Sequence, residues 1–313
     1  MKALIIGGAG FVGHYLVDQL LGEGDWTVSV TKLPQESFEQ ENVGVHDLNL
    51  LAPEEISSLL RQERPDYIFH LAAQSSVGLS WKNPGLTIDI NIKGAVNMLD
   101  AVRAIPDYHP RILVIGSGEE YGYIRPEETP VSEENPVRPG NIYAATKVAQ
   151  NMICGIYARA YHMDIVLVRA FNHIGPAQKP MYVVADFCKQ VADIEKGKQE
   201  PVMHVGNLAA RRDFTNVRDV VRAYSLLVRK GKAGETYNVG SGHAISMEEL
   251  LARILALSTA EVRVEVDPAK LRPLDIPVIE AEIGKLVRDT GWAPTIPLDQ
   301  TIAETLAYWR SQN

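Results

Sequence analysis

Tyr143 and Lys147 stand four residues apart in Tyr-Ala-Ala-Thr-Lys, and a serine, Ser117, follows the apolar run Ile112 to Ile115 upstream of them. Residues four apart on a helix share one face. A free tyrosine ionises at about pH 10, and a neighbouring ammonium favours its phenolate, so such a pair can exchange a proton with a sugar hydroxyl or a ketone near neutral pH. Most Tyr-x-x-x-Lys pairs are structural. This one gains weight from Ser117 and from a glycine turn near residue 10. Glu119, in Gly116-Ser117-Gly118-Glu119-Glu120-Tyr121-Gly122, falls where a strand delivers side chains to the same site, which raises the question of whether it acts as a base.

The glycine turn is Gly7-Gly8-Ala9-Gly10-Phe11-Val12-Gly13, directly after the apolar run Ala3 to Ile6 and ahead of a helix predicted over His14 to Leu21. Gly7 permits the tight turn, Gly10 lets a pyrophosphate approach the backbone at a helix N-terminus, and Gly13 lets helix and strand pack closely, with Phe11 and Val12 between them in the same cradle. A dinucleotide is the expected ligand. The second strand ends at Thr31-Lys32, where NAD-binding sheets usually offer an acid to the adenosine ribose. A neutral residue followed by a cation suits a 2′-phosphate, so NADP(H) is expected in preference to NAD(H), with NAD(H) possible. Asp47 and Leu48, after the third strand, and Leu71, Ala72 and Ala73, after the fourth, complete the cofactor set, the small residues leaving room for a flat ligand.

These residues need a scaffold, and the apolar runs Ala3 to Ile6, Thr27 to Val30, Tyr67 to Leu71, Ile112 to Ile115 and Ile165 to Val168 supply one. They alternate with helical periodicity and are apolar on both faces, which predicts an α/β fold: a Rossmann-type doubly wound parallel sheet with right-handed crossovers. Residues 1–175 are expected to form the dinucleotide-binding domain. Residues 176–313 are expected to be a smaller, mainly substrate-binding region, with some chain returning to the sheet. Cys154 and Cys188 lie in apolar stretches without ligand spacing, so buried thiols are expected and no metal. No apolar run reaches the roughly 18 residues of a membrane helix, and Met1 leads straight into a strand, which predicts a cytoplasmic protein without a membrane partner. A net charge of −8 and a pI near 5.5 argue against nucleic acid.

Taken together, the chain resembles the extended short-chain dehydrogenase/reductase family over nearly its whole length. The matching residues are Gly7, Gly10 and Gly13; Asp47-Leu48; His70 to Gln74; Asn91-x-x-Gly94-x-x-Asn97; Ser117; Tyr143 to Lys147; Arg169 to Gln178; Arg211 to Asp219; and Leu271 to Asp275. Within the family it is most similar to the nucleotide-sugar branch, in particular to the GDP-mannose 4,6-dehydratases and the GDP-4-keto-6-deoxymannose reductases. The resemblance implies that Tyr143 is the acid/base at the sugar's carbon-4 oxygen, that Lys147 holds the nicotinamide ribose and lowers the tyrosine pKa, and that Ser117 hydrogen-bonds the same oxygen. Asn172 would position the sugar nucleotide, and Arg212 and Arg272 would contact its diphosphate, to which a planar guanidinium is suited. Asp213 and Asp219 are expected to be a fold salt bridge and a helix cap, Asn97 structural, and His70 and His173 packed. The helices over Asn91 to Val102 and Tyr143 to Tyr161 correspond to a family homodimer interface, with Met98, Val102, Met152 and Ile156 as its apolar face.

The resemblance also bears on Glu119. Sugar-nucleotide 4,6-dehydratases carry a run such as Ser-Thr-Asp-Glu or Ser-Thr-Ser-Glu at this turn, in which the glutamate removes the carbon-5 proton and its polar predecessor assists loss of the carbon-6 hydroxyl. Here the predecessor is Gly118. The stretch Thr31 to Glu41 is also short, without the arginine-bearing loop of the GDP-mannose dehydratases. The expected activity is therefore NADPH-dependent reduction of the 4-keto group of GDP-4-keto-6-deoxy-D-mannose to a GDP-6-deoxyhexose such as GDP-D-rhamnose. The alternatives are a 4,6-dehydratase with Glu119 as base, and a nucleotide-sugar 4-epimerase.

Overall fold

The computed structural model describes residues 1–271 and 276–312. The first half runs β1 (Lys2–Ile6), α1 (Phe11–Glu23), β2 (Thr27–Lys32), β3 (Val43–Asp47), α2 (Pro53–Glu63), β4 (Tyr67–His70), α3 (Val77–Lys82), α4 (Pro84–Ile88), α5 (Gly94–Arg103), β5 (Arg111–Ser117), α6 (Ile142–Ala160) and β6 (Ile165–Ala170). The second continues with β7 (Asn172–Ile174), α7 (Val183–Glu195), β8 (Val202–Val205), β9 (Arg211–Asn216), α8 (Val217–Lys230), β10 (Thr236–Val239), β11 (Ala244–Ser246) and α9 (Met247–Leu255). It ends with β12 (Arg263–Val266), β13 (Val278–Ile279), α10 (Gly284–Thr290) and α11 (Leu298–Ser311).

Seven strands form one sheet in the order β10-β6-β5-β4-β1-β2-β3, every pair parallel. The two-residue period of a strand sends alternate side chains to opposite faces. Ala3, Ile5, Val28 and Val30 pack beneath α1 and α8 with Val17, Leu20, Val221 and Tyr224. Leu4, Ile6, Ile112 and Val114 pack on the other face with α2, α5 and α6. Both faces are covered, which is why the strands read as continuous apolar runs rather than alternating ones. The sheet is not completed by the first 175 residues: β10 supplies its edge and α8 part of its cover.

The helix expected over His14 to Leu21 begins at Phe11, because Gly10 is its extended N-cap (φ −76°, ψ 166°) and the turn hands directly into the helix. The expected dimer face needs correction in part. Met98 and Val102 are 0% and 2% exposed and belong to the subunit core, whereas Met152 and Ile156 on α6 stand 62% and 51% exposed. Beyond the sheet, β9 pairs with β7, β11 and β13, β8 pairs with β12, and α7, α9 and α11 enclose a separate apolar core around Phe187, Met203 and Leu250. Cys154 and Cys188 are buried free thiols, both pushed up to about 12 by burial. Among the described residues no helix is long and apolar enough to cross a membrane.

Candidate active site

The glycine turn lies at the carboxyl end of β1 between β2 and β4. Gly7 takes a positive φ of 88°, and a Cβ there would stand 2.8 Å from the Ala72 backbone. The Gly7 N–H donates to the Thr31 hydroxyl at 3.1 Å, so the turn is stitched to β2. A Cβ on Gly13 would reach to 2.2 Å of the Gly8 carbonyl oxygen. At Gly10 only Gly7 O comes within 3.4 Å of the same position, α1 has no side-chain cap, and its first turn carries no acid. That open helix N-terminus, flanked by half-buried Phe11 and Val12, fits a pyrophosphate. Leu71 and Ala72 donate their N–H groups to Ile6 O, holding the β4 end, with Ala73 beyond it, alongside the turn.

Lys32 has a carboxylate partner. Its register partner across β2–β3 is Asp47, and Lys32 Nζ donates to Asp47 Oδ1 at 2.6 Å. The carboxylate missing from the end of the second strand arrives from the third. Leu48 follows, buried, with its N–H on Lys32 O at 2.9 Å.

The reactive side chains converge at the ends of β5 and α6. Asn141 caps α6, accepting the Ala144 N–H at 2.8 Å, and the helix-favouring residues that follow carry Tyr143 and Lys147 inward. Tyr143 is 8% exposed, Ser117 7% and Lys147 3%. Burial holds the Tyr143 phenol well above its ordinary value, the Ser117 hydroxyl beside it pulls the other way, and Tyr182, Glu119 and Glu120 add to the rise. The Lys147 side chain is bonded elsewhere. The ammonium is turned to Ile115 O at 2.8 Å and Gln150 Oε1 at 2.9 Å, and burial draws it down to about 8 against the opposing pull of Glu120. Ser117 Oγ accepts the Glu119 N–H at 3.2 Å, so its own proton is directed elsewhere.

Glu119 does face this site. Its Oε2 accepts from Asn141 Nδ2 at 3.1 Å, and its charge acts on Tyr143. Gly118 is packed from the other side: a Cβ there would lie 3.1 to 3.3 Å from the Phe171 ring. Asn172 follows Phe171, half-buried, with Nδ2 on Asp213 O at 3.4 Å. Arg212 is 9% exposed and donates to the carbonyls of Arg211 and Ile276 at 2.8 and 2.7 Å. Arg272 lies outside the described residues.

Neither aspartate plays its expected part. Among the described residues Asp213 has no ion-pair partner and takes N–H groups from Ser241, Gly242 and Ala281 and the Ser241 hydroxyl, all three residues lying outside the helices. Asp219 pairs with Arg222 at 2.5 Å, while the cap of α8 is Asn216, which accepts the Arg218 N–H at 2.8 Å. Asn97 donates to Leu50 O at 2.8 Å and His173 stacks on Phe11, both structural. His70 is fully buried and drawn down to about 3 by burial and by Lys147, which keeps it neutral.

Sequence reasoning passed over Gly8, whose Cβ would strike Val30 at 2.4 Å; Tyr182, whose hydroxyl meets Ser75 Oγ at 3.0 Å; and the buried pair Glu120 and Arg169, 3.0 Å apart. The signal for the last was present: a second glutamate immediately after Glu119, in a turn that otherwise serves the site.

A GDP-mannose 4,6-dehydratase family model matches residues 4–305. The GDP-6-deoxy-D-mannose reductase of Pseudomonas aeruginosa is 33% identical, over 85% of this chain and 87% of that protein. The solved structure of RMD from Pseudomonas aeruginosa complexed with NADPH superposes with a TM-score of 0.89 at 31% identity, covering 99% of both chains. The UDP-glucose 4-epimerase of Thermus thermophilus in complex with NAD gives a TM-score of 0.89 at 29% identity, again over 99% of both. With the parallel sheet, the glycine turn and the buried Ser-Tyr-Lys cluster in place, the chain belongs to the GDP-mannose 4,6-dehydratase family, enzymes of the extended short-chain dehydrogenase/reductase nucleotide-sugar branch.

Proposed function

We propose that the protein reduces the 4-keto group of GDP-4-keto-6-deoxy-D-mannose to a GDP-6-deoxyhexose such as GDP-D-rhamnose, using NADP(H) in preference to NAD(H). The observation that carries this reading is the Phe171 ring lying against Gly118. In a dehydratase a polar side chain at this position helps the carbon-6 hydroxyl leave; here there is no side chain and an aromatic ring fills the space beside it. The likeness to the Pseudomonas reductase supports the same reading.

Hydride donation is the chemistry that a bound NADPH supplies. The chain's own residues do the rest. The Tyr143 phenol, kept protonated by burial, is in the form that a reduction needs: it gives its proton to the carbon-4 oxygen as that oxygen gains electrons. Ser117, already accepting from the Glu119 N–H, directs its hydroxyl proton to the same oxygen. Lys147 has one ammonium N–H beyond its bonds to Ile115 and Gln150, suited to a ribose hydroxyl. Asn172, Arg212 and Arg272 are assigned to the sugar nucleotide on resemblance. The α6 stripe Ala145, Met152 and Ile156 is exposed, and with it we assign a homodimer.

A second reading, 4,6-dehydratase activity, is favoured by Glu119 facing Tyr143. One experiment separates them. The purified protein is given GDP-mannose alone, then freshly made GDP-4-keto-6-deoxymannose with NADPH, and products are identified by mass and NMR. A dihydro product in the second reaction only is expected; loss of water from GDP-mannose in the first would replace the reductase reading.

A further inference from the structure

The turn that carries Ser117 buries a second carboxyl group. Glu120 is 0% exposed; its Oε1 accepts the Ser117 N–H at 2.8 Å, and its Oε2 accepts Arg169 Nε at 3.0 Å. Arg169 is the register partner of Gly116, lies with its guanidinium carbon 4.8 Å from the Tyr121 ring centre, and donates to Glu133 O at 3.4 Å. The carboxylate reaches this place only because residue 116 is glycine: a Cβ there would stand 2.2 Å from Glu120 Oε1. One residue earlier, Ile115 O accepts the Lys147 ammonium. Consecutive residues of one strand, 115 to 117, thus hold the ammonium at one position, make room for the carboxylate at the next, and present the reactive serine at the third.

We propose that Glu120 is a positioning residue for the Ser117, Tyr143 and Lys147 site, its carboxylate fixing the Ser117 backbone and serving as buried counter-charge to the Lys147 ammonium. The assignment rests on the reading of those three residues as catalytic. A buried charge without a partner is costly, so the Lys147 ammonium, 3% exposed and bonded to neutral oxygens among the described residues, needs a negative group near it. The groups that act on this centre are Lys147, Tyr143 and Cys154 on α6, His70 on β4, Arg169 on β6, Tyr224 on α8, Tyr182 ahead of α7, and Glu119, Tyr121 and Glu133 on the β5–α6 connection. Of the carboxylates among them, Glu120 is the one that raises the Lys147 pKa. Burial pushes its own carboxyl up to about 7, against Arg169, the Ser117 N–H and Lys147, which pull it down.

Glu120→Gln keeps an acceptor for the Ser117 N–H and nearly the same volume but removes the charge. Without it the Lys147 ammonium loses its proton more easily, so the alkaline limb of kcat/KM for reduction is expected to move down by about one pH unit, a tenfold change in the ratio of protonated to deprotonated lysine. Glu120→Asp keeps the charge and shortens the reach: kcat should fall while the limb stays. An NMR titration of labelled lysine side chains, with Lys147 assigned by Lys147→Arg, reads the same shift without substrate. Its failure is therefore distinct from failure of the reductase reading, which shows in product analysis and in Tyr143→Phe. A Glu120→Gln limb and Lys147 titration unchanged from the parent, or a limb displaced as far in Glu120→Asp, would overturn the proposal.

Discussion

The two halves of the candidate site are put together differently. The proposed cofactor side centres on one short run, Gly7 to Gly13, whose shape is fixed by the Thr31 hydroxyl, by the Ala72 backbone and, within the run, by Gly8. The proposed sugar side is gathered from separate pieces: the Ser117 to Glu120 turn, the start of α6, Phe171 and Asn172 after β6, Tyr182 ahead of α7, and Arg212 on β9. A contiguous site tolerates almost no change in its own residues. A gathered site can be retuned one piece at a time, as Gly118 against Phe171 illustrates.

The largest effect expected tests the gathered side. Tyr143→Phe removes one hydroxyl and the proton donor with it, worth about 10²- to 10⁴-fold in turnover, while NADPH binding measured by fluorescence stays near the parent's. Turnover within a few-fold of the parent would remove Tyr143 from the site. The contiguous side is tested next by Gly13→Ala, which forces a methyl to 2.2 Å from the Gly8 carbonyl oxygen. Overpacking of this kind costs about 1–3 kcal/mol, and both a lower melting temperature and weaker NADPH binding are expected; unchanged values would mean that the turn relaxes freely.

Cofactor choice offers a smaller and more discriminating effect. Lys32 and Asp47 form a partly exposed pair, 17% and 57% exposed at the side chain. Asp47→Asn releases the ammonium for a 2′-phosphate and should raise the NADPH to NADH ratio of kcat/KM; Lys32→Ala should lower it. Solvent screening limits each change to about tenfold or less. Opposite signs would show that Asp47, rather than Lys32, governs the ribose. The smallest expected change belongs to Glu119→Gln, which still accepts from Asn141. Reduction should stay within a few-fold of the parent, whereas loss of a general base would cost about 10²-fold or more.

What the sequence made legible follows the same division. The glycine turn, the parallel strands and the Tyr143-Lys147 face depend on residues near one another in the chain, so spacing alone revealed them. The Lys32 to Asp47 pair did not show, because it depends on the register of two strands separated by a ten-residue connection between Lys32 and Val43. Met98 and Val102 were placed on an outer face because resemblance assigns the whole helix to a family interface, and only packing on the sheet decides which of its apolar residues are covered. The parts of Asp213 and Asp219 were missed for a related reason: their partners include backbone groups dozens of residues away, as with Ala281 and Ile296.

The strand β10, edge of the sheet, has a consequence for how such an enzyme diversifies. It pairs with β6 from Thr236 to Val239, and it belongs to the same later chain that carries β9 and α7. A recombination joining the first 175 residues to an unrelated partner would strip β6 of its neighbour and uncover α1 where α8 now lies. An unpaired edge and a bared apolar face invite aggregation. New substrates are reached more safely by substitution within the later chain than by exchanging it whole.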